Sequence, residues 1–277
     1  MQPLPNFFIV GAPKAGTTSL YHYLDQHPQI YMSPIKEPNY FATEVRLEGF
    51  SEEFQKQVRK DVKALEKYLN GPMSRKRFGG LVTTWPDYLK LFQNVRDEEA
   101  IGEASVCYLW SESAPRNILS QLPGARIVMV LRDPAERAFS QYAQGVANGG
   151  IRDSFRAHVD KGIHGSGGRF NRAHPFLELG LYYAQVKRYL DLFPRERVHI
   201  AFYEEWQTDP SALITGVLGF LGVDDSFKPD MSRRHLAGRK PARSMEAGDR
   251  AYLRDYYRED VRQLAALLNR DLSGWVD

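Results

Sequence analysis

The stretch from Phe7 to Ser19 limits the fold of this chain more than any other. Phe7-Phe8-Ile9-Val10 is a short apolar, β-favouring run, Gly11-Ala12-Pro13-Lys14-Ala15-Gly16 is a glycine loop, and Thr17-Thr18-Ser19-Leu20 with Tyr23 and Leu24 has helical spacing. His27-Pro28 predicts where that helix stops, because a residue before proline is disfavoured in the α region. A strand that turns through a glycine loop into a helix aims successive backbone N–H groups at one point, at the positive end of the helix. That arrangement suits a phosphate-like anion. The spacing Gly11-x4-Gly16-Thr17-Thr18 is that of a Walker A loop, with one departure: Thr17 stands where a lysine usually follows the second glycine, and Lys14 supplies its cation from inside the loop. The hydroxyls of Thr17, Thr18 and Ser19 add donors. An ordinary glycine turn with capping threonines has the same pattern, so other segments must decide.

Further along, residues 44–98 are charged and helix-favouring, with Phe54, Val58, Val62, Leu65 and Leu69 spaced along one face, which predicts peripheral helices. Ala100 to Glu103 predicts a short strand, and Ala125 to Leu131 a buried parallel one ending in Arg132-Asp133-Pro134. Ala135 to Tyr142 reads as a helix. From Asn148 to Phe170 glycine is dense, which predicts a mobile loop. Tyr182 to Leu190 and Pro210 to Leu221 read as helices, Val198 to Tyr203 as a strand, and Leu253, Tyr257, Val261, Leu264 and Leu268 as the stripe of a last helix. Alternating strands and helices predict a parallel sheet covered on both faces. Without repeat, low-complexity tract or linker, residues 1–277 are expected to form one domain.

Composition narrows the function. The chain has 277 residues, 43% hydrophobic and 26% charged, so it can build a sizeable core rather than stay disordered. Its net charge of +3 is too small for a dedicated nucleic-acid binder, and any anion site must be local. A single cysteine, Cys107, forms no internal disulfide or thiolate cluster, which fits a reducing compartment. No apolar run reaches the ~18 to 20 residues of a membrane span, and the N-terminus has no basic segment followed by an apolar core. A soluble, cytoplasmic protein without membrane insertion is expected.

Arg132 ends a buried strand at the carboxyl edge, where open α/β sheets bind ligands, and Ser140 follows eight residues on. With these residues in view the chain resembles the 3′-phosphoadenosine 5′-phosphosulfate (PAPS)-dependent sulfotransferases. Pro13-Lys14-Ala15-Gly16-Thr17-Thr18-Ser19 is similar to their 5′-phosphosulfate loop, and Leu131 to Ser140 to their 3′-phosphate element. Gly238-Arg239-Lys240-Pro241, with Tyr252 to Tyr257, resembles the C-terminal cofactor loop and helix of the heparan-sulfate-type enzymes, Ala237 standing where the family often has lysine. Phe202-Tyr203-Glu204-Glu205 resembles the strand whose tyrosine neighbours the adenine. The resemblance implies a three-layer P-loop-type α/β fold with a central parallel sheet flanked by helices. It also implies that Lys14, Ala15, Gly16, Thr17, Thr18, Ser19, Arg132, Ser140, Tyr203, Gly238, Arg239 and Lys240 hold PAPS and its product 3′-phosphoadenosine 5′-phosphate (PAP).

Chemically, the donor has a 3′-phosphate of roughly −1.5 to −2 and an acidic phosphosulfate, so two anion sites are needed. The glycine loop and the Arg132/Ser140 pair would supply them. Sulfuryl transfer needs in-line alignment and stabilisation of charge on the bridging oxygen, the role the family gives to the lysine matching Lys14. No metal is demanded. Pro34 to Phe41 resembles the segment with the family's glutamate base, which maps onto Glu37; Glu37 paired with Lys36 or Lys14 would instead organise the site. Glu103 and a histidine such as His174 are the alternatives. The expected acceptor is a hydroxyl, or less readily an amine, of a carbohydrate or small natural product. Two other readings stay open: a P-loop kinase or nucleotide triphosphatase with Asp133 as its magnesium-binding acid, and a nucleotide-binding protein without catalysis.

Overall fold

The computed structural model describes residues 3–45, 52–164, 176–232 and 244–277. The chain runs β1 (Phe7–Gly11), α1 (Thr17–Leu24), β2 (Ile30–Met32), β3 (Ile35–Lys36), α2 (Glu52–Leu69), β4 (Arg77–Phe78), α3 (Trp85–Lys90), β5 (Ala100–Ala104), α4 (Ala114–Gln121), β6 (Arg126–Leu131), α5 (Pro134–Ala147), α6 (Phe155–His164), α7 (Tyr182–Leu192), β7 (Val198–Phe202), α8 (Tyr203–Thr208), α9 (Pro210–Leu221) and α10 (Ala247–Leu268). Five strands form the main sheet in the order β2-β5-β1-β6-β7. Every neighbouring pair in it is parallel.

The all-apolar run of β1 belongs at the centre of this sheet, because a strand covered by helices on both faces must bury both of its side-chain rows. All five of its residues are buried. Next to it, Gly102 of β5 lies opposite Phe7 in register, and a methyl group there would stand 2.1 Å from the phenyl ring. Glycine is therefore a packing requirement at that position. On one side α1 packs against α9, which also packs on α8 and β7; on the other, α7 meets α4 and α10, and α10 meets α5. The buried residues join in one cluster that extends from Phe7 to Val276.

The connections matter for function. From β1 the chain passes through α1 to β2 on one side of the sheet, whereas from β6 it passes through α5 to β7 on the other. The carboxyl ends of β1 and β6 consequently flank a topological switch point, the crevice where open α/β sheets take their ligands.

The structure corrects several expectations. The strand expected to include Tyr203 ends at Phe202, because the Glu205 carboxylate reaches back to accept the Phe202 N–H at 3.1 Å and starts α8 at Tyr203. The part of the glycine-dense segment that is described contains α6, with Ser154 Oγ accepting the Ala157 N–H and Phe155 and Val159 buried one turn apart, while residues 165–170 of that expectation lie outside the described residues. Val62 of the expected α2 stripe is exposed, while Leu65 and Leu69 are buried. The paired strands β3 and β4, too short to be legible by alternation, form a separate parallel sheet. Among the described residues no helix is long and apolar enough to cross a membrane.

Candidate active site

Two helices start at the switch point, and they begin differently. At α5, Asp133 accepts the N–H groups of Ala135 and Glu136, so the helix supplies its own anion. At α1 the cap is Gly16, which is left-handed with φ of 83° and has no side chain to cap the helix, and no acidic residue stands in the first turn. The positive end of the α1 dipole is thus not neutralised by an acid of its own first turn, which suits an external anion. Gly16 cannot be replaced quietly, since a Cβ there would lie 3.2 Å from the Tyr203 ring. Ala15 and Thr17 are buried beneath the loop, while Lys14, Gly16, Thr18 and Ser19 are half-buried.

The capping role of Asp133 also bears on the kinase-like reading. Its carboxyl is buried, both capping bonds end on one oxygen, and burial pushes it up to about 6. A group committed in this way to its own helix is poorly placed to serve as a magnesium-binding acid in the cleft.

Arg132 connects the two expected anion sites. Its Nη1 donates to the Lys14 carbonyl at 2.9 Å, and its guanidinium lies over the Tyr203 ring at 4.5 Å. One hydrogen bond fixes the arginine to the glycine loop and the ring fixes its plane. Tyr203 therefore belongs to this site although it starts a helix. On α5, Glu136, Ser140 and Gln144 recur every fourth residue and share one face. Glu136 approaches Arg132 and Gln144 accepts from Lys14 Nζ at 2.9 Å, so the half-buried Ser140 between them faces the same crevice. Burial, followed by the charges of Arg132 and Arg137, lowers the ammonium of Lys14 from its ordinary value. This cationic surrounding favours an incoming anion.

The adjoining edge of the sheet holds the expected base. Glu37 N–H donates to the carbonyl of Ala104, the last residue of β5, which places Glu37 one strand over from the loop that follows β1. Its φ of 68° is held by that bond and by bonds from Gly80 N–H and Asn39 Nδ2 to its carbonyl. The Glu37 side chain is half-exposed, and its Oε1 accepts from Lys36 Nζ at 2.7 Å. Lys36 itself is 1% exposed. A buried ammonium thus pins one carboxylate oxygen of this half-exposed Glu37 side chain.

Glu103 is a different kind of carboxylate. It is fully enclosed and accepts from Ser105 Oγ at 2.6 Å, Tyr88 at 2.9 Å and Tyr108 at 3.0 Å. Burial pushes it up to about 7 against those bonds and the Lys36 charge. Its geometry fits a structural role and not direct contact with an acceptor. Cys107 donates to Asn39 Oδ1 at 3.0 Å, and burial together with the nearby Glu37, Glu103 and Glu44 charges raises its thiol well above its ordinary value, which leaves it a poor nucleophile. Phe41 and Tyr108 are core residues, whereas Tyr40 stacks on Tyr88 at the half-buried rim, beside Trp85. Gly238, Arg239, Lys240 and His174 lie outside the described residues.

Sequence reading passed over Gln144 and, although it offered Lys36 as a partner of Glu37, passed over the burial of Lys36. The fourfold spacing from Ser140 was a usable signal for Gln144. Lys36 had none, because a lysine beside a glutamate is ordinarily a solvated pair and its burial depends on the β3–β4 sheet.

The parallel sheet, the glycine-capped helix start and the arginine at the switch point define an α/β protein of the P-loop type. More specifically, the chain belongs to the sulfotransferase family, whose model matches residues 5–228. The crystal structure of a sulfotransferase from Alicyclobacillus acidocaldarius is 35% identical, covers 99% of this chain and 100% of that one, and superposes with a TM-score of 0.77. Human bifunctional heparan sulfate N-deacetylase/N-sulfotransferase 3 is 26% identical over 99% of this chain and 31% of its own length. The membrane-associated sulfotransferase kil1 of Dictyostelium discoideum is 21% identical over 97% of this chain and 66% of its own. The chain therefore spans less than two thirds of these curated relatives.

Proposed function

We propose that the protein transfers a sulfuryl group from PAPS to a hydroxyl, or less readily an amine, of a carbohydrate or small natural product, and that one domain does so without a metal. The observation that carries the reading is the bond from Arg132 to the Lys14 carbonyl, which joins a glycine-capped helix start to a stacked guanidinium at the switch point. Two adjoining anion sites fit a ligand with a phosphosulfate at one end and a 3′-phosphate at the other.

In this reading the N–H groups of the loop and α1 hold the phosphosulfate, with Thr18 and Ser19 at the first turn. Arg132 and Ser140 hold the 3′-phosphate, and Tyr203 contributes an aromatic wall. Lys14 exchanges its bond with Gln144 for one to the bridging oxygen, where negative charge develops on transfer. Glu37 accepts the acceptor's proton at the carboxylate oxygen that Lys36 leaves free. Gly238, Arg239 and Lys240 are assigned to the cofactor by family resemblance. The single cysteine fits the cytoplasm.

Calorimetric titration with PAP, with ADP, and with ATP plus magnesium at fixed ionic strength tests the reading. Micromolar binding of PAP without metal, tighter than either comparison ligand, is expected. A preference for ATP with magnesium overturns it in favour of a phosphoryl-transfer enzyme.

A further inference from the structure

Glu136, in the first turn of α5, places its carboxylate between two guanidiniums from distant parts of the chain. Its Oε2 lies 3.8 Å from Arg132 Nη2, and its Oε1 meets Nη2 of Arg250, which comes from the first turn of α10. The Arg132 contact is longer than the ~2.7–2.9 Å of a charge-assisted hydrogen bond, so Arg132 is only loosely engaged by this acid. Its plane and one nitrogen are already fixed by Tyr203 and the Lys14 carbonyl. All three charged side chains are partly open to solvent, at 16% for Arg132, 30% for Glu136 and 35% for Arg250. Two cations therefore converge on a single, accessible negative charge. A phosphate can replace that charge with two charges and three acceptor oxygens.

We propose that Arg250 is a further arginine of the 3′-phosphate site and that Glu136 is an internal stand-in for the phosphate, displaced from both guanidiniums when the ligand enters. The proposal rests on the cofactor reading given above. It makes Glu136 a selectivity device: its like charge opposes binding, and only a ligand with its own phosphate at this point compensates by engaging both arginines. Adenosine 5′-phosphate (AMP), without the 3′-phosphate, leaves the internal pairing in place.

The test is calorimetric titration of the full chain and its Arg250→Gln, Arg250→Lys and Glu136→Gln variants with PAP and with AMP, at fixed ionic strength. Arg250→Gln is expected to weaken PAP by about tenfold or more and AMP by less than about twofold, with Arg250→Lys between Gln and the unaltered chain. Glu136→Gln is expected to tighten PAP severalfold and leave AMP unchanged. Equal losses for the two ligands in Arg250→Gln, or a Glu136→Gln variant that binds PAP more weakly, overturn the proposal and reduce the pair to a fastening between α5 and α10. Unaltered PAP affinity in Arg250→Gln overturns this proposal alone. Absence of PAP binding in the unaltered chain overturns the cofactor reading and this proposal with it.

Discussion

The two sides of the crevice are built by different means. The side proposed for the donor consists of backbone that follows a strand and opens a helix, with a single arginine bonded to that backbone. The side proposed for the acceptor consists of a carboxylate on a left-handed residue, held by a buried lysine, by a bond to β5 and by bonds from the segment after β4. Backbone N–H groups present the same surface whatever the neighbouring side chains are, so one arrangement can serve a constant ligand. A side-chain site changes with each substitution, which suits an acceptor that differs between enzymes.

This contrast can be broken from either side. The largest expected effect is that of Glu37→Gln, which should lower transfer to an alcohol or sugar by ~10²–10⁴ and leave PAP affinity intact. A rate that survives would move the base off the β5 edge. Lys14→Ala should lower turnover by ~10²–10³ with a smaller loss of PAP affinity, measured in paired kinetic and calorimetric titrations. Unchanged turnover with weakened binding would reassign Lys14 to holding the donor. Arg132→Ala should weaken PAP by about 10- to 100-fold and AMP much less. Equal losses would remove the distinction between the two anion sites.

The smallest expected effect separates structure from catalysis on the acceptor side. An ordinary glutamate titrates near 4.5, and Glu103 is pushed up to about 7 by burial. Between those values the folded chain keeps a proton that the unfolded chain releases. The stabilisation from Glu103 is therefore fully present below about pH 4.5 and is lost as pH rises through about 7. Melting temperature in the Glu103→Gln variant should fall less between these limits than in the unaltered chain, and an identical slope would refute the assignment. Asp133 and Asp260, each raised to about 6, slope the same way, so only the difference between variant and parent isolates Glu103.

Legibility in the sequence followed the same divide. The glycine loop, the buried strand before Arg132 and the helices read over 135–142, 210–221 and 253–268 are local patterns that periodicity located, although the first runs on to Ala147 and the last begins at Ala247. Strand order is not local: Gly102 lies beside Phe7 only because β5 inserts between β2 and β1. The same limit hid the burial of Lys36, which comes from pairing with residues some forty positions on, and the Glu136–Arg250 contact, which joins two helices. Helix α6 was obscured by the glycines around it, although Ser154, Phe155 and Val159 formed a short start signal. Tyr203 was assigned to the site and to the wrong element, because the reach of Glu205 decides where β7 stops.

The central place of β1 also has consequences for how the protein comes into being. Phe7 pairs with Gly102 on one side and with Arg126 on the other, so β1 takes both of its neighbours from far along the chain. Loops this long close at an entropic cost before any contact rewards them, which slows folding. A ligand that needs both the glycine loop and Arg132 recognises only chains in which this closure has occurred. At a hundred times its dissociation constant such a ligand adds about 2.7 kcal/mol to the folded state. On the proposed reading PAPS is such a ligand, and its binding would favour the closed sheet over chains in which β1 lacks its neighbours.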